Sequence, residues 1–363
     1  MRAAVYYGPG EVRLVEMPDP VAGEGELLLD VATVGICGSD VGEYVHEPHF
    51  FPVRERHPFS GHLGPTIPGH EFSGAVAMVG PGVEGFAVGD LVASGAGVAC
   101  GRCPACRRGA TNLCETYWTV GLHAHGAMAE RVAVPASCCM NLSTASISPD
   151  LAALAQPMSI AVHALRRGRL VEDDVVVVLG TGGIGSFITF AAAATGATVV
   201  AVDLDPGRLE VARALGASTT IDASSPVDVS GRIVAEVGPP TLLFECTAIA
   251  DSLQLAVRTV TDNGRVVIVG HQPQPFRFDF KQVSFREQEL IGTMAHAFAS
   301  DFGAAIELID RKPEVWVRVA PTVHPLESLL AAGLIPMVEG RQNQIKALFD
   351  PSLNEPRPLR TNR

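Results

Sequence analysis

Four closely spaced cysteines constrain the fold of this chain more than any other feature. Thiolates separated by three, three and eight residues can close around one tetrahedral zinc ion. They leave no position open for water, so we predict a structural zinc lobe over about residues 97–116. A disulfide pair is the alternative, but it fits poorly with a chain that begins without a secretory segment. The four cysteines are Cys100, Cys103, Cys106 and Cys114.

A glycine-rich motif, Gly180-Thr-Gly182-Gly183-Ile184-Gly185, follows the apolar run Val175–Leu179 and opens a predicted helix. This is the context that a dinucleotide fingerprint requires. Gly180 allows the tight turn, and Gly182 lets the backbone approach a pyrophosphate at the helix N-terminus. Gly185 lets the helix and the strand pack closely. We therefore predict a dinucleotide site here.

The acidic residue Asp203 lies 18 residues beyond Gly185, where the next predicted strand ends. Its carboxylate can accept hydrogen bonds from both ribose hydroxyls and would repel a 2′-phosphate, which favours NAD over NADP. Arg208 is the counterargument, because its guanidinium could pair with such a phosphate. The alternative for Arg208 is a solvated helix residue.

The composition excludes several classes of partner. A net charge of −12 argues against nucleic acid. No apolar run is long enough to span a membrane, and the N-terminus lacks a signal-peptide core. Eight cysteines, most of them in metal-ligand positions, suit a reducing compartment. We expect a cytoplasmic protein with neither membrane nor nucleic-acid partners.

The pattern of the chain changes near Leu151. Before it, short alternating runs rich in Gly, Pro and Val indicate an irregular β-rich domain. After it, strands alternate with helices, as in a parallel doubly wound sheet. We predict a late strand in Gln344–Asp350 and a frayed tail from Asn354 to Arg363. The other predicted strands are Val175–Leu179, Thr198–Asp203, Thr241–Glu245, Gly264–Val269 and Glu289–Thr293.

Two further motifs precede the cysteine lobe, Gly35-Ile-Cys37-Gly-Ser39-Asp40 and Pro68-Gly69-His70-Glu71. With them and the glycine motif in this order, the chain resembles the zinc-dependent medium-chain dehydrogenase/reductase family over about residues 1–350. It is most similar to the polyol and 2,3-butanediol dehydrogenase branch. The resemblance implies an α/β protein with two domains, a homodimer or homotetramer, and a small-molecule alcohol or ketone as substrate.

The resemblance also implies how the chain divides. A GroES-like, β-rich catalytic domain would comprise residues 1–156 and 297–363, because the late strand returns to the first domain. A Rossmann NAD-binding domain would comprise residues 157–296. By position, Val269, Thr293 and Ala295 would offer backbone groups to the nicotinamide amide.

The catalytic metal site follows from the same resemblance. Cys37 and His70 match two zinc ligands, and Glu71 either binds the metal or exchanges with water there. Asp40 matches a carboxylate that orients the metal-bound histidine. The fourth ligand position, a glutamate in polyol-type members, is occupied by Gln156. Gln156 either binds zinc, directly or through water, or packs at the domain interface. With the cysteine lobe, two zinc ions per chain are expected.

The proton relay departs from the family pattern. Ser39 matches the hydroxyl that takes the alcohol proton, but Gly42 stands where a relay histidine is common. The proton then leaves through water and the ribose, or His46 substitutes. The long segment from Tyr44 to Thr66 also carries His49, His57 and His62. It is either a solvated loop that shapes the substrate mouth or a second group of metal ligands.

The resulting hypothesis is a zinc-dependent, NAD-linked dehydrogenase of a secondary alcohol or vicinal diol. Glu43 and Tyr44 could bind a second hydroxyl of the substrate. A sugar or polyol dehydrogenase is the first alternative, favoured by Gln156. A non-catalytic, nucleotide-binding relative is the second, and loss of Cys37 or His70 would have supported it.

Overall fold

The polypeptide leaves its first folding unit and returns to it near the C-terminus. The computed structural model describes residues 1–225, 228–272 and 274–362. Unit 1 comprises residues 1–159 and 296–363, and unit 2 comprises residues 160–295. The β-rich first part and the α/β second part predicted from the sequence are both present.

Unit 1 is built on an eight-stranded, mostly antiparallel sheet and two small two-stranded sheets, β1–β2 and β6–β7. The long strand β3 is its centre, because it pairs with β4, β8 and β17. The unit 1 strands are β1 (Arg2–Gly8), β2 (Glu11–Glu16), β3 (Glu26–Gly35), β4 (Glu71–Val79), β5 (Leu91–Ser94), β6 (Gly97–Val98), β7 (Trp118–Thr119), β8 (Arg131–Pro135), β9 (Cys139–Asn141), β16 (Thr322–Pro325), β17 (Leu348–Asp350) and β18 (Arg357–Pro358).

Most helices of unit 1 are short and connect the strands. The N-cap of α1 is Cys37, and Ser148 caps α3 by accepting the Leu151 N–H. Helix α4 runs across the boundary into unit 2. The helices are α1 (Gly38–Val45), α2 (Pro104–Arg107), α3 (Pro149–Ala153), α4 (Ala155–Arg167), α10 (Phe298–Arg311) and α11 (Ile335–Val338), with single 3-10 or π turns at Thr111–Leu113, Ala136–Cys138, Pro313–Arg318, Leu326–Ser328 and Leu329–Leu334.

The C-terminal tail is held down rather than frayed, which corrects the prediction for Asn354 onward. The β18 residue Arg357 lies against the buried carboxylate of Asp150, with Arg357 Nη2 to Asp150 Oδ1 at 2.9 Å. The same carboxylate accepts the Arg360 N–H at 2.8 Å. Ser148 donates its hydroxyl proton to the Arg360 carbonyl at 2.6 Å. The buried carboxylate of Asp150 thus holds this tail in place. Arg363 lies outside the described residues.

Unit 2 contains a six-stranded sheet in the order β12-β11-β10-β13-β14-β15, and every pairing in it is parallel. Its central strands are fully buried runs such as Val176–Leu179, as expected of a sheet covered on both faces. The strands are β10 (Val175–Leu179), β11 (Thr198–Asp203), β12 (Thr219–Asp222), β13 (Leu242–Glu245), β14 (Arg265–Ile268) and β15 (Glu289–Gly292).

The strand order of unit 2 reverses between β10 and β13. From β10 the chain proceeds outward to β11 and β12, then crosses back and proceeds outward through β13, β14 and β15. Ligands of such sheets bind beyond the carboxyl ends of the strands at this switch point. The helices of unit 2 are α5 (Gly183–Ala193), α6 (Pro206–Ala214), α7 (Val229–Val237), α8 (Ala250–Thr259) and α9 (Phe280–Phe285).

The strands predicted from the sequence agree with five of these six strands to within one residue at each end. Only Thr219–Asp222 was not predicted. That strand is short, half-polar and at the edge of the sheet, so its apolar pattern is weak. Within the described residues, no helix has both the length and the apolar character needed to cross a bilayer.

Candidate active site

The cysteine lobe of unit 1 brings its four thiols together. One sulfur from each of the cysteines at 100, 103, 106 and 114 lies within 4.8 Å of the others. Backbone N–H groups point at the sulfurs: Cys103 N lies 3.3 Å from Cys100 Sγ, and Cys100 N lies 3.2 Å from Cys114 Sγ. Such donors stabilise thiolates. The loop is therefore shaped around sulfur anions.

The charges of the lobe fit a divalent cation. Backbone N–H donors lower the pKa values of Cys100 and Cys103. Burial and the neighbouring thiols raise the pKa of Cys106 to about 12, so without a cation this thiol stays protonated. Zinc binding would supply the positive charge that four adjacent thiolates need.

A second cluster in unit 1 joins the two other predicted ligand motifs. Ligand atoms of Cys37, His70 and Glu71 lie within 4.8 Å of one another. Cys37 precedes α1, and His70 immediately precedes β4. Gly69 has φ +97°, and a Cβ there would lie 2.9 Å from the Met128 side chain. Only glycine fits this turn, which directs His70 toward Cys37.

Several polar atoms of this region are buried and have no hydrogen-bond partner among the described residues: Ser39 Oγ, Asp40 Oδ1, His70 Nδ1 and Gln156 Oε1. Buried polar atoms are rarely left unpaired, so Ser39 Oγ and Gln156 Oε1 fit a ligand that protein atoms do not supply. The Asp40 Oδ1 to His70 Nδ1 distance is 3.8 Å, and Asp40 Oδ2 accepts the Cys37 N–H at 2.9 Å. Asp40 thus ties together the two motifs that carry Cys37 and His70.

The electrostatics of this cluster favour positive charge. Burial by itself would lower the pKa of His70, but Asp40 and Cys37 raise it to about 9. Burial raises the pKa of Asp40. The donor set of sulfur, imidazole and carboxylate is that of a catalytic zinc site. The residues present therefore fit the metal that the sequence predicted.

Sequence reasoning missed Lys346, which forms a buried ion pair with Glu71. The side chains of Glu71 and Lys346 are 1% and 4% exposed. Lys346 Nζ donates to Glu71 Oε1 at 2.5 Å and to the Ile36 carbonyl at 2.9 Å. Burial would lower the pKa of Lys346, but Glu71 and Cys37 hold it above its usual value. The available signal was a single lysine within the apolar run Ile345–Phe349.

Glycine is also required beside this pair. A Cβ on Gly35 would lie 2.7 Å from Glu71 Oε2. The Glu71 carboxylate is therefore confined between the end of β3 and Lys346. Whether it also reaches a bound metal stays a prediction.

Glu43 does not serve the role that the sequence suggested. Its side chain is 2% exposed, and its carboxylate accepts the N–H groups of His49, Phe50 and Phe51 at 2.9 to 3.2 Å. The hypothesis that Glu43 binds a substrate hydroxyl is therefore wrong. Because Glu43 lies on α1, it anchors the long loop to the helix that follows Cys37.

The histidines of that loop pack against a second loop that sequence reasoning overlooked. The rings of His57 and His123 have centroids 4.5 Å apart, and those of His62 and His125 are 4.4 Å apart. His123 Nδ1 accepts the Thr119 N–H at 2.9 Å, and His57 Nδ1 accepts the Ser60 N–H at 3.1 Å. The predicted solvated loop is therefore partly packed. His46 is exposed.

These histidines do not form a metal site in the structure. Within the described residues, groups of three or more His, Cys, Asp or Glu that could hold an ion occur only at the two cysteine-containing clusters. Burial and the nearby His57 and His49 lower the pKa of His123 to about 4. Neutral imidazoles therefore hold the two loops together.

In unit 2, the glycine motif forms the turn between β10 and α5. Gly180 has φ +85°, and a Cβ on Gly185 would lie 1.8 Å from the Gly180 carbonyl oxygen. Neither position accepts another residue without a shift of the backbone. Gly182 is the N-cap of α5, and Gly183 and Ile184 form its first turn. The helix N-terminus thus lies at the carboxyl end of β10, where an anion can bind.

The predicted ribose ligand Asp203 ends β11 and is buried. Its Oδ2 accepts the Thr181 N–H at 2.7 Å, and its Oδ1 accepts the Leu204 N–H at 2.8 Å. Arg208 Nη1 lies 3.9 Å from Asp203 Oδ1 and 3.4 Å from an ideal Cβ on Gly182. Arg208, a residue of α6 whose side chain is 34% exposed, therefore lies beside the glycine turn, and its role stays a prediction.

The remaining predicted coenzyme residues lie beyond the other half of the sheet. Val269 follows β14, and its N–H donates to the Glu245 carbonyl at 2.9 Å. Thr293 and Ala295 follow β15, and Ala295 has φ +44°. Their roles stay predictions.

Comparisons with known proteins agree with these features. The family model described as the alcohol dehydrogenase GroES-like domain matches residues 23–144. The model described as zinc-binding dehydrogenase matches residues 183–311. The (R,R)-butanediol dehydrogenase of Neisseria gonorrhoeae is 30% identical over 97% of this chain and 100% of its own length.

Two further proteins extend the comparison. The sorbitol dehydrogenase of Bacillus subtilis is 34% identical over 74% of this chain and 75% of its own. The crystal structure of 2R,3R-butanediol dehydrogenase from Bacillus subtilis superimposes with a TM-score of 0.88 at 30% identity, covering 97% of this chain and 99% of that one. The similarity thus includes both units.

Lys346→Met is expected to lower the free energy of unfolding by about 3–5 kcal/mol, because Glu71 would stay buried without its cation. Lys346→Met combined with Glu71→Gln should recover most of that loss. Denaturant unfolding at a fixed zinc concentration measures both, with the exposed Lys312→Met as control. A Lys346→Met variant as stable as the control would contradict the buried pair.

The contact between the loops is expected to weaken in acid. His123 has a pKa of about 4 in the folded protein, below the ordinary 6.5, so its contribution is complete above pH 6.5. That contribution is lost as the pH falls from about 6.5 to about 4. Amide exchange of residues 57–62, corrected for its intrinsic pH dependence, should become about tenfold faster between pH 7 and pH 4.5.

The matched variant is His123→Asn, whose carbonyl oxygen can still accept the Thr119 N–H but does not titrate. It should reduce the pH dependence without abolishing it, because burial also lowers the pKa values of His57, His62 and His125, that of His125 to about 4. His46→Asn, at an exposed position outside the cluster, should leave it unchanged. Equal acid sensitivity of the wild type and His123→Asn would rule out this histidine as the cause.

Proposed function

The chain belongs to the zinc-dependent medium-chain dehydrogenase/reductase family, and we propose that it interconverts a secondary alcohol or vicinal diol and the matching ketone with NAD. The observation that carries the proposal is the cluster of Cys37 with the buried His70 and Glu71. A non-catalytic, nucleotide-binding relative would not need this donor set. Family membership makes the protein an alcohol dehydrogenase-type oxidoreductase.

Two bound groups supply the chemistry: a zinc ion lowers the pKa of the alcohol hydroxyl, and the nicotinamide ring of NAD accepts the hydride. Cys37 and His70 would hold the metal, with the Gln156 carbonyl oxygen as a further ligand or as the partner of a water. Gln156 Oε1 is buried and accepts no hydrogen bond from the described residues, which supports this use. The four cysteines at 100–114 would hold the structural zinc ion.

The charges around the catalytic cluster match this use. With Cys37 as thiolate, it and the carboxylates of Asp40 and Glu71 carry three negative charges, of which Lys346 offsets one. The two negative charges that remain would balance the two positive charges of a zinc ion. A neutral amide at position 156 preserves this balance, whereas a glutamate there would add negative charge near the developing alkoxide.

Ser39 is the proposed first proton acceptor. Its hydroxyl oxygen is buried and makes no hydrogen bond to the described residues, so it is available to a substrate hydroxyl. Gly42 has no side chain to continue the relay, and His46 is exposed. We propose that the proton leaves Ser39 Oγ through water and the ribose.

The proposed coenzyme is NAD. Its pyrophosphate would lie at the N-terminus of α5, and the adenosine ribose would bind Asp203. Val269, Thr293 and Ala295 would offer backbone groups to the nicotinamide amide. The homodimer or homotetramer and the cytoplasmic location expected from the sequence stay predictions.

A sugar or polyol dehydrogenase is the second candidate function. The sorbitol dehydrogenase of Bacillus subtilis is 34% identical over most of the chain, and Gln156 departs from the glutamate of polyol-type members. Without Glu43 as a hydroxyl ligand, His46 and Tyr44 remain as the nearby candidates. A substrate with one additional hydroxyl is therefore easier to accommodate than a sugar with several.

Butane-2,3-diol should be oxidised with a kcat/KM at least about tenfold above that of butan-2-ol, because a Tyr44 hydroxyl that binds the second substrate hydroxyl would be left unpaired by the mono-alcohol. Initial rates with NAD measure this, and sorbitol and glucose test the second candidate. Equal kcat/KM values for butane-2,3-diol and butan-2-ol would remove the diol preference and leave a secondary-alcohol dehydrogenase.

Asp203→Ser is expected to raise the ratio of kcat/KM for NADP to that for NAD, because it removes the carboxylate that repels a 2′-phosphate. Activity with NAD should also fall, since Asp203 holds Thr181 in the glycine turn. Asp228→Ser, at the exposed N-cap of α7, is the matched control and should leave the ratio unchanged. A wild-type enzyme that already uses both coenzymes would refute the assignment.

A further inference from the structure

A buried acid near the start of α3, Asp150, joins this helix to two other parts of unit 1. Its side chain is 1% exposed. Asp150 Oδ1 accepts the hydroxyl proton of Thr33 on β3 at 2.7 Å and an N–H of the Arg357 guanidinium at 2.9 Å. Asp150 Oδ2 accepts the Arg360 N–H at 2.8 Å. The carboxylate therefore ties α3 both to the central strand of the sheet and to the C-terminal tail.

The segment around Asp150 is also attached to β4, the strand that begins beside His70. The Pro149 carbonyl accepts the Ser73 hydroxyl proton at 2.6 Å, and Ser73 pairs with Thr33 in the register of β4 and β3. In this register β3 ends at Gly35, two residues before Cys37, and β4 begins at Glu71. The helix α3 is therefore held on the two strand ends that carry the catalytic cluster.

A short buried segment connects Asp150 to Gln156. Residues 151–155 are at most 1% exposed. The α3 helix ends at Leu154, and α4 begins at the next residue. The Leu154 carbonyl accepts the Met158 N–H at 3.1 Å, so the helical turns continue almost without a break. Because such buried turns are closely packed and deform little, the position of Asp150 determines where the backbone of Gln156 lies.

The side-chain oxygen of Gln156 has no hydrogen bond from the protein to orient it. Gln156 Oε1 is buried and has no partner among the described residues, although the Gln156 carbonyl accepts the Ser159 hydroxyl proton at 2.6 Å. Metal ligands are usually oriented by hydrogen bonds from the residues around them. For Gln156 the orientation must come from the backbone of α3 and α4, and this backbone is what Asp150 holds.

We propose that Asp150 is a positioning residue for Gln156, and that the C-terminal tail thereby contributes to binding of the catalytic metal. The inference rests on the proposed use of Gln156 at the Cys37 and His70 cluster. Thr33 and the tail fix the carboxylate of Asp150, and the carboxylate fixes α3. The helix in turn sets how far Gln156 lies from the cluster.

The test measures the zinc affinity of the Cys37 and His70 cluster by competition with a chromophoric chelator, with the four-cysteine site of the same protein as internal reference. Asp150→Ala should weaken zinc binding at the cluster about tenfold, as is typical when a residue that orients a metal ligand is removed. The four-cysteine site should keep its affinity. Thr33→Val and Arg357→Met each remove part of the hold on Asp150 and should cause a smaller loss. Thr33→Ser keeps the hydroxyl and should restore the affinity of the wild type.

A Gln156→Ala background shows whether Asp150 acts through Gln156. If it does, Asp150→Ala should weaken zinc binding no further in the Gln156→Ala protein, because the two changes remove the same interaction. An equal loss of zinc affinity in both backgrounds would overturn the proposal, since Asp150 would then act on the cluster without Gln156.

Arg2→Met is the matched control. Arg2 also ties distant parts of unit 1 together, because its Nη2 donates to the Pro351 carbonyl at 2.6 Å and its Nε donates to Glu130 Oε1 at 2.9 Å. These partners lie outside α3. Arg2→Met should therefore lower the melting temperature without changing the ratio of the two zinc affinities. The same unchanged ratio in Asp150→Ala would overturn the proposal and leave a structural role only. If Asp150→Ala does not fold, Thr33→Val carries the test, and an unchanged ratio there overturns the proposal.

Failure of this inference and failure of the proposed function give different results. If Gln156→Ala weakens zinc binding but Asp150→Ala and Thr33→Val do not, the inference fails and the proposed metal site stands. If Gln156→Ala leaves the zinc affinity unchanged, Gln156 has no part in holding the metal and the inference fails with it. A wild-type protein that binds no zinc at the Cys37 and His70 cluster would overturn both the inference and the proposed function.

Discussion

Negative charge buried beside Cys37 is the constraint on which unit 1 depends. The carboxylates of Asp40 and Glu71 lie within the protein next to a thiol and an imidazole, and an uncompensated charge there would cost several kcal/mol. One positive charge comes from Lys346. The negative charge that Lys346 does not compensate is suited to bind a metal ion. The buried carboxylates of Asp40 and Glu71 thus make the fold of unit 1 depend on a lysine that is distant in sequence. They also make this cluster a site for a cation.

This requirement gives the discontinuous chain a physical role. Lys346 precedes β17, which pairs with β3 only after the whole of unit 2 has intervened in the sequence. The tail is held in the same way, because Arg357 compensates the buried Asp150. Two buried acids in the first part of the chain are therefore each matched by a cation from the last part. Unit 1 cannot satisfy its own charges without its C-terminal segment.

Features set by neighbours in sequence could be predicted, and features set by distant partners could not. The glycine turn after β10 and the cysteine lobe each require particular residues at fixed spacing. Both could therefore be predicted from the sequence. Lys346 and His123 act through contacts across 275 and 66 residues, which no local pattern reports. The prediction for Glu43 was wrong because an acidic residue close to the predicted zinc ligand Cys37 suggests substrate binding. In the structure, its carboxylate instead accepts hydrogen bonds from backbone N–H groups. The ordered tail was missed for the same reason as Lys346.

Metal content measured together with activity during chelation tests the central claim most directly. The account predicts two zinc ions per chain of unequal lability. A chelator should first remove the ion from the Cys37 and His70 cluster and abolish activity while the fold persists, because that site keeps an open position. The ion at the closed four-cysteine site should leave only as the protein unfolds. One zinc ion or none in a fully active chain would contradict the account.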